Sequence, residues 1–181
     1  MSRKILAIDA SSAILLYKAA AEPLFLWQCL AAAYQVRMAS AAFREVARPG
    51  YDGSSFFREE GGRLFTVVSA AIPGRDSSTG IADLSGIGPG EAMTLSLLLA
   101  GRVAFIAVDD KKAALICRRN RLPYVNALLM PRLLAISGLV SATFFEELFE
   151  GIHNVGRYSG AIVDFARNCP EEQLRPFLPL G

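Results

Sequence analysis

Residues 103–110 read Val-Ala-Phe-Ile-Ala-Val-Asp-Asp, an apolar run that ends in two carboxylates. A continuous apolar stretch closed off by polar residues marks a strand buried on both faces, as parallel sheets require. Asp109 then stands just past the carboxyl end of that strand. Residues 5–9, Ile-Leu-Ala-Ile-Asp, repeat the pattern and give Asp9 the same position on a second strand. Open α/β sheets bind ligands at that edge, so two strands that each deliver an aspartate there point to a site as well as a fold.

Helical segments surround these strands. After Ser11-Ser12, residues 13–20 read as a helix and complete a βα unit. From Pro23 to Ala47 the chain is Ala- and Leu-rich, with charges only at Arg37, Arg44 and Glu45, which predicts one or two helices packed on the sheet and stopped by Pro49-Gly50. Residues 51–90 change texture: Gly-Ser and Gly-Gly turns, a short strand over 64–68 and a polar loop at 74–80 predict the least regular part of the chain, with an insertion at 51–80. Helices are predicted from Glu91 to about Ala100, over 111–120 and over 128–135, with a short strand at Pro123-Tyr124-Val125. Residues 143–168 read as two more helices within a C-terminal extension at 141–181, and the Pro-rich end after Cys169 as an irregular tail. Alternating strands and helices imply a layered α/β domain with a mainly parallel sheet, a single unit over residues 1–181.

Composition narrows the chemistry. The chain has 181 residues, of which 52% are hydrophobic, yet no apolar run approaches the ~20 residues of a membrane span. The bland expectation is a cytoplasmic protein with no membrane partner. A net charge of +2 is too small to demand a polyanion. Cys29, Cys117 and Cys169 lack CxxC spacing and are expected to be buried small hydrophobes. The single histidine, His153, removes histidine-rich metal sites and most nucleophile–His triads; its Gly151 and Asn154 neighbours suggest a turn between helices.

What remains is a set of carboxylates: Asp9, Glu45, Glu91, Asp109 and Asp110. Two anions about 5 Å apart repel by roughly 3 kcal/mol at an effective dielectric of ~20, and a divalent cation is the simplest offset. Each acid also has an ordinary explanation. Glu91 follows Gly90 at a helix start and caps its own helix in the plainer account; Asp109 or Asp110 serves as N-cap for the helix at Lys111; Glu45 is a solvated residue near a helix end. Lys111, Lys112, Arg118 and Arg119 repeat at a seven-residue spacing that puts them on one helix face, either a solvated surface or a seat for phosphates. Phe56-Phe57 fits core burial better than base stacking. Phosphotransfer to Asp9 is a poorer fit, since Ser11 stands where a DxD motif has its second acid.

In order and spacing these motifs resemble those of PIN-domain ribonucleases, over roughly residues 3–140. Ile5–Ser12 is similar to the family's opening strand and acidic turn, 39–46 to the helix with its second acid, Gly90-Glu91-Ala92 to the start of the helix with its third, and Phe105–Asp110 to the strand end with its fourth. The chain departs from the subfamily at Asn126-Ala127, where a Gly-Thr step is common, and at Ala114, where a basic residue is common. The resemblance implies a three-layer α/β/α domain and an endoribonuclease dependent on Mg²⁺ or Mn²⁺, the toxin of a toxin and antitoxin pair. Asp9, Glu45, Glu91, Asp109 and Asp110 would be its catalytic acids. Asp9, Glu91 and Asp109 or Asp110 would be metal ligands, Glu91 a ligand or a base, Glu45 an outer ligand, and Ser11 a support for a metal-bound water. Lys111, Lys112, Arg118 and Arg119 would hold the RNA. Partners would be RNA, an antitoxin segment covering the acidic pocket, and a second copy of the chain, with apolar surface offered at 24–33 and 144–149.

Overall fold

The computed structural model describes residues 3–70, Leu84 and 86–179; the polar loop expected at 74–80 lies outside them. Five strands form one sheet: β1 (Ile5–Ile8), β2 (Gln35–Ala39), β3 (Thr66–Val68), β4 (Phe105–Ala107) and β5 (Tyr124–Val125). Their order is β3-β2-β1-β4-β5, and every pairing is parallel. Helices α1 (Ala10–Ala19) and α2 (Pro23–Ala33) connect β1 to β2, α3 (Ser40–Val46) and α4 (Ser54–Leu64) connect β2 to β3, α5 (Pro89–Leu99) precedes β4, and α6 (Lys111–Arg119) links β4 to β5. A 3-10 turn at Ala127–Leu129 leads into α7 (Met130–Ile136), α8 (Ala142–Val155), α9 (Gly160–Asn168) and α10 (Glu171–Leu174). The result is the three-layer α/β/α arrangement with extra C-terminal helices.

Burial explains the central strands. Leu6, Ala7 and Ile8 of β1 and Phe105, Ile106 and Ala107 of β4 are closed to solvent; α5 packs on β1, β2 and β4, and α2 packs on β2. An aromatic group seals α2 to α4: Trp27 meets Phe57 edge-on at 5.6 Å, and Phe56 packs on Tyr17 at 5.3 Å. The two phenylalanines therefore belong to the core. The three cysteines are free and buried.

Four elements differ from expectation. Residues 35–39, inside the stretch predicted helical, form β2; exposed Gln35 and half-buried Arg37 alternate with buried Val36 and Met38, a strand period masked by helix-favouring neighbours. The segment expected to be least regular contains α4, which passes through Gly61 because the Phe65 ring lies where a Cβ would be, 2.8 Å away. His153 lies within the last turn of α8, not in a turn, and faces Glu150 at 3.7 Å. The tail after Cys169 is docked: Leu174 is buried, Phe177 packs on Phe105 at 5.3 Å, and the Phe177 carbonyl accepts from the Tyr34 hydroxyl at 2.9 Å.

Candidate active site

Strand order reverses between β1 and β4. β1 leads outward to β2 and β3, whereas β4 leads the other way to β5. The carboxyl ends of strands at such a switch point leave a crevice between diverging connections. Asp9 follows β1 and Asp109 stands two residues past β4, and the Asp9 amide continues the ladder by donating to the Ala107 carbonyl at 3.1 Å. The fold itself therefore sets these two aspartates side by side.

Asp9 is the N-cap of α1 and fully buried. Its Oδ1 accepts from the Ser12 amide at 2.8 Å, and its Oδ2 from the Ser11 hydroxyl at 2.8 Å. Asp109 accepts three donors. Its Oδ2 takes the Ser12 hydroxyl at 2.6 Å and the Ala127 amide at 3.0 Å, and its Oδ1 takes the Tyr158 hydroxyl. Ser12 thus joins the pair, its amide on one aspartate and its hydroxyl on the other. Asp110 turns away from this pair to cap α6, where its Oδ1 accepts from the amides of Lys112 and Ala113, both at 2.9 Å.

Glu45 and Glu91 form a second pair. Glu91 lies in the first turn of α5, and its carboxylate folds back over Gly88, where a Cβ would stand 2.5 Å from Oε2. Gly90 lets α5 approach α3, since its Cβ would lie 3.4 Å from Ala42 Cα and 3.5 Å from Glu45 Oε2. Among the described residues, no three acid, histidine or cysteine side chains converge closely enough to hold one metal ion. Nor does any of the five acids form an ion pair among those residues.

Electrostatics follow from burial. Removal from water, with the Asp109 charge adding to it, pushes the Asp9 carboxyl up to about 7 against the opposing hydrogen bonds from Ser12 and Ser11. Burial also raises Asp109, opposed by its bonds from Ser12, Tyr158 and Ala127. Glu45 is raised first by burial and then by the Glu91 charge. The Cys117 thiol is raised to about 12, chiefly by burial, which keeps it from acting as a thiolate nucleophile.

Lys111, Lys112, Arg118 and Arg119 are all exposed on α6, and Lys112 Nζ donates to the Gly86 carbonyl at 3.1 Å. The sequence by itself assigns no role to Ser12 or Tyr158. An Asp-x-x-Ser spacing at a helix start is a signal for the first. For Tyr158, only its place between Gly156 and the Ser159 cap of α9 marks a constrained loop. No family profile matches the chain, and no curated protein matches it significantly in sequence.

Proposed function

We propose that this chain is a cytoplasmic, metal-dependent endoribonuclease of the PIN type that hydrolyses RNA phosphodiester bonds at the edge carrying Asp9 and Asp109, and that it is the toxin of a toxin and antitoxin pair. The observation that carries the reading is the meeting of two aspartates at the switch point, joined by one serine and, among the described residues, with no cationic side chain paired to either. The donor set fits Mg²⁺ or Mn²⁺, because carboxylates are hard oxygen ligands and a buried acid that resists ionisation gains from an adjacent dication. Asp9 and Asp109 would hold the ion, with Glu91 and Glu45 at the rim. When bound, such an ion makes a coordinated water more acidic and neutralises charge on a phosphodiester.

The chain's own groups supply position and attraction. Ser11 and Ser12 lock the Asp9 carboxylate, and the Ser12 hydroxyl ties Asp109 to it. Lys111 and Lys112 occupy the first turn of α6, where the helix dipole disfavours cations. Helix stability does not account for them; a role in holding phosphates would, and Arg118 and Arg119 extend the strip along the helix. Exposed Leu24 and Phe25, the latter edge-on to Phe144 at 5.1 Å, give an apolar patch for an antitoxin or a second copy. Purified protein given labelled RNA and Mn²⁺ should cleave it, and chelator or Asp9→Asn should abolish cleavage. Robust cutting in excess chelator contradicts the proposal.

One observation favours a second reading, a PIN-fold module that holds RNA or a protein without cutting: Asp9 is sealed from solvent and both oxygens of Asp109 already accept protein donors. Binding of RNA with equal strength by wild type and Asp9→Asn, with no cleavage by either, identifies that module.

A further inference from the structure

The C-terminal helices do not close completely over the β5 side of the sheet. They leave a cavity of about 660 Å³ between β5, the start of α6 and helices α9 and α10, a size typical of small-molecule sites. Much of its lining is apolar, including Leu129, Ile162, Phe165 and Phe177. Ile162 and Phe165 are 40% and 48% exposed, the latter the most open of the exposed large apolar side chains among the described residues. Their helix is not loosely attached. Arg167 of α9 pairs with Glu146 and Glu150 of α8 and lies 4.5 Å over the Phe149 ring, and Arg132 donates to its carbonyl. So α9 is anchored on one side while apolar side chains on another are left facing open space, an arrangement that wastes burial unless something fills it.

The lining also carries positive charge. Lys111 and Arg157 both line the cavity, and neither has an ion-pair partner among the described residues. Both are held near Asp109: Lys111 lies two residues beyond it, and Arg157 adjoins Tyr158, whose hydroxyl is bonded to it. Asp109 itself borders the cavity, but its oxygens are turned into bonds with Ser12, Ala127 and Tyr158. Two cations and an already committed acid, together with open aromatic and aliphatic side chains in the same lining, are complementary to a single chemical class. We propose that this cavity is a binding site for a small amphiphilic anion, an aliphatic or aromatic body carrying a terminal carboxylate or phosphate, with its head between Lys111 and Arg157 and its body against Phe165, Ile162 and Phe177. The site adjoins the aspartate pair but does not depend on metal binding or RNA cleavage.

The test uses the full chain and a fluorescent aryl sulfonate, anilinonaphthalene sulfonate, displaced by decanoate. Decylammonium provides the same tail with the opposite charge, and inorganic phosphate a head without a tail. Decanoate should displace the dye at one site with at least tenfold lower Kd than decylammonium or phosphate. Arg157→Glu with Lys111→Glu should weaken decanoate tenfold or more, and Ala161→Trp, which fills the cavity from exposed α9, should block it. Methyl resonances of Ile162 and Leu129 in the wild-type protein should shift on decanoate addition, a readout that needs no variant to fold. Equal displacement by decylammonium, a twofold or smaller change in the charge-reversed variant, or methyl shifts confined to other regions would overturn the assignment.

Discussion

The Tyr158 hydroxyl donates to Oδ1 of Asp109 across 49 residues of sequence. A side chain from the loop between α8 and α9 thereby completes the donor set of the acid at the end of β4. The contact depends on Gly156, whose missing Cβ would lie 2.2 Å from the Tyr158 ring. Burial and the neighbouring Asp109 charge both raise the phenol above its ordinary value, so it stays a donor at any working pH.

Tyr158→Phe should therefore lower stability by about 1–2 kcal/mol, the usual consequence of stripping one donor from a buried acceptor. It should also free Oδ1, so that Mn²⁺ raises the Tm of the variant more than that of wild type. Urea and thermal unfolding with and without Mn²⁺ check both. An unchanged urea midpoint in the absence of metal would show that the bond adds nothing to stability.

Asp9 gives the fold a pH dependence whose sign is fixed. Its carboxyl is raised from 3.8 to about 7, so between those values the folded chain keeps a proton that the unfolded chain has lost, and stability falls as pH rises through that window. The full loss is on the order of 4 kcal/mol above pH 7, and the raised Asp109 carboxyl acts in the same direction. Asp9→Asn removes most of the slope, because the amide oxygen can still accept from the Ser12 amide and the Ser11 hydroxyl can rotate to accept in turn. Denaturation midpoints at pH 5 and pH 8 should differ strongly in wild type and little in the variant; parallel pH profiles would be inconsistent with a buried, proton-holding Asp9.

Helix α8 crosses α1 at a glycine. A Cβ on Gly151 would sit 2.4 Å from the Ala19 carbonyl oxygen, which is backbone and cannot swing aside. Gly151→Ala should cost about 1–3 kcal/mol by overpacking, read as a lower urea midpoint, whereas alanine at Gly62, where a Cβ meets nothing within 4 Å, should not.

The docked tail contributes to stability too. Leu174 is 1% exposed, and Lys4 Nζ donates to the Pro176 carbonyl at 2.8 Å. Leu174→Ala should cost about 2–4 kcal/mol, and a loss below ~0.5 kcal/mol would mean that the segment is only loosely attached.

The parts that were legible in sequence are those whose signal is local. β1 and β4 announce themselves as unbroken apolar runs, and α5 and α6 follow start signals at Gly90-Glu91 and Asp109-Asp110, although α5 begins two residues earlier, at Pro89. β2 did not, because five residues alternating inside an Ala- and Leu-rich stretch look like helix until α5 is known to cover them. The docked tail was hidden for a similar reason: its partners Tyr34 and Phe105 are far away in sequence. At the site, the proximity of Asp9 and Asp109 could be read from strand ends, whereas which of Asp109 and Asp110 meets Ser12 depended on which one caps α6. Tyr158 depended on long-range packing with no local sign beyond a glycine.

Calorimetric titration of Mn²⁺ into the full chain at pH 7.5, in wild type, Asp109→Asn and Asp110→Asn, tests the metal-site proposal most directly. Asparagine at 110 keeps the N-cap of α6, so the account predicts saturable binding by wild type and Asp110→Asn and its loss in Asp109→Asn. Absence of saturable binding in wild type, or binding undiminished in Asp109→Asn, would contradict it.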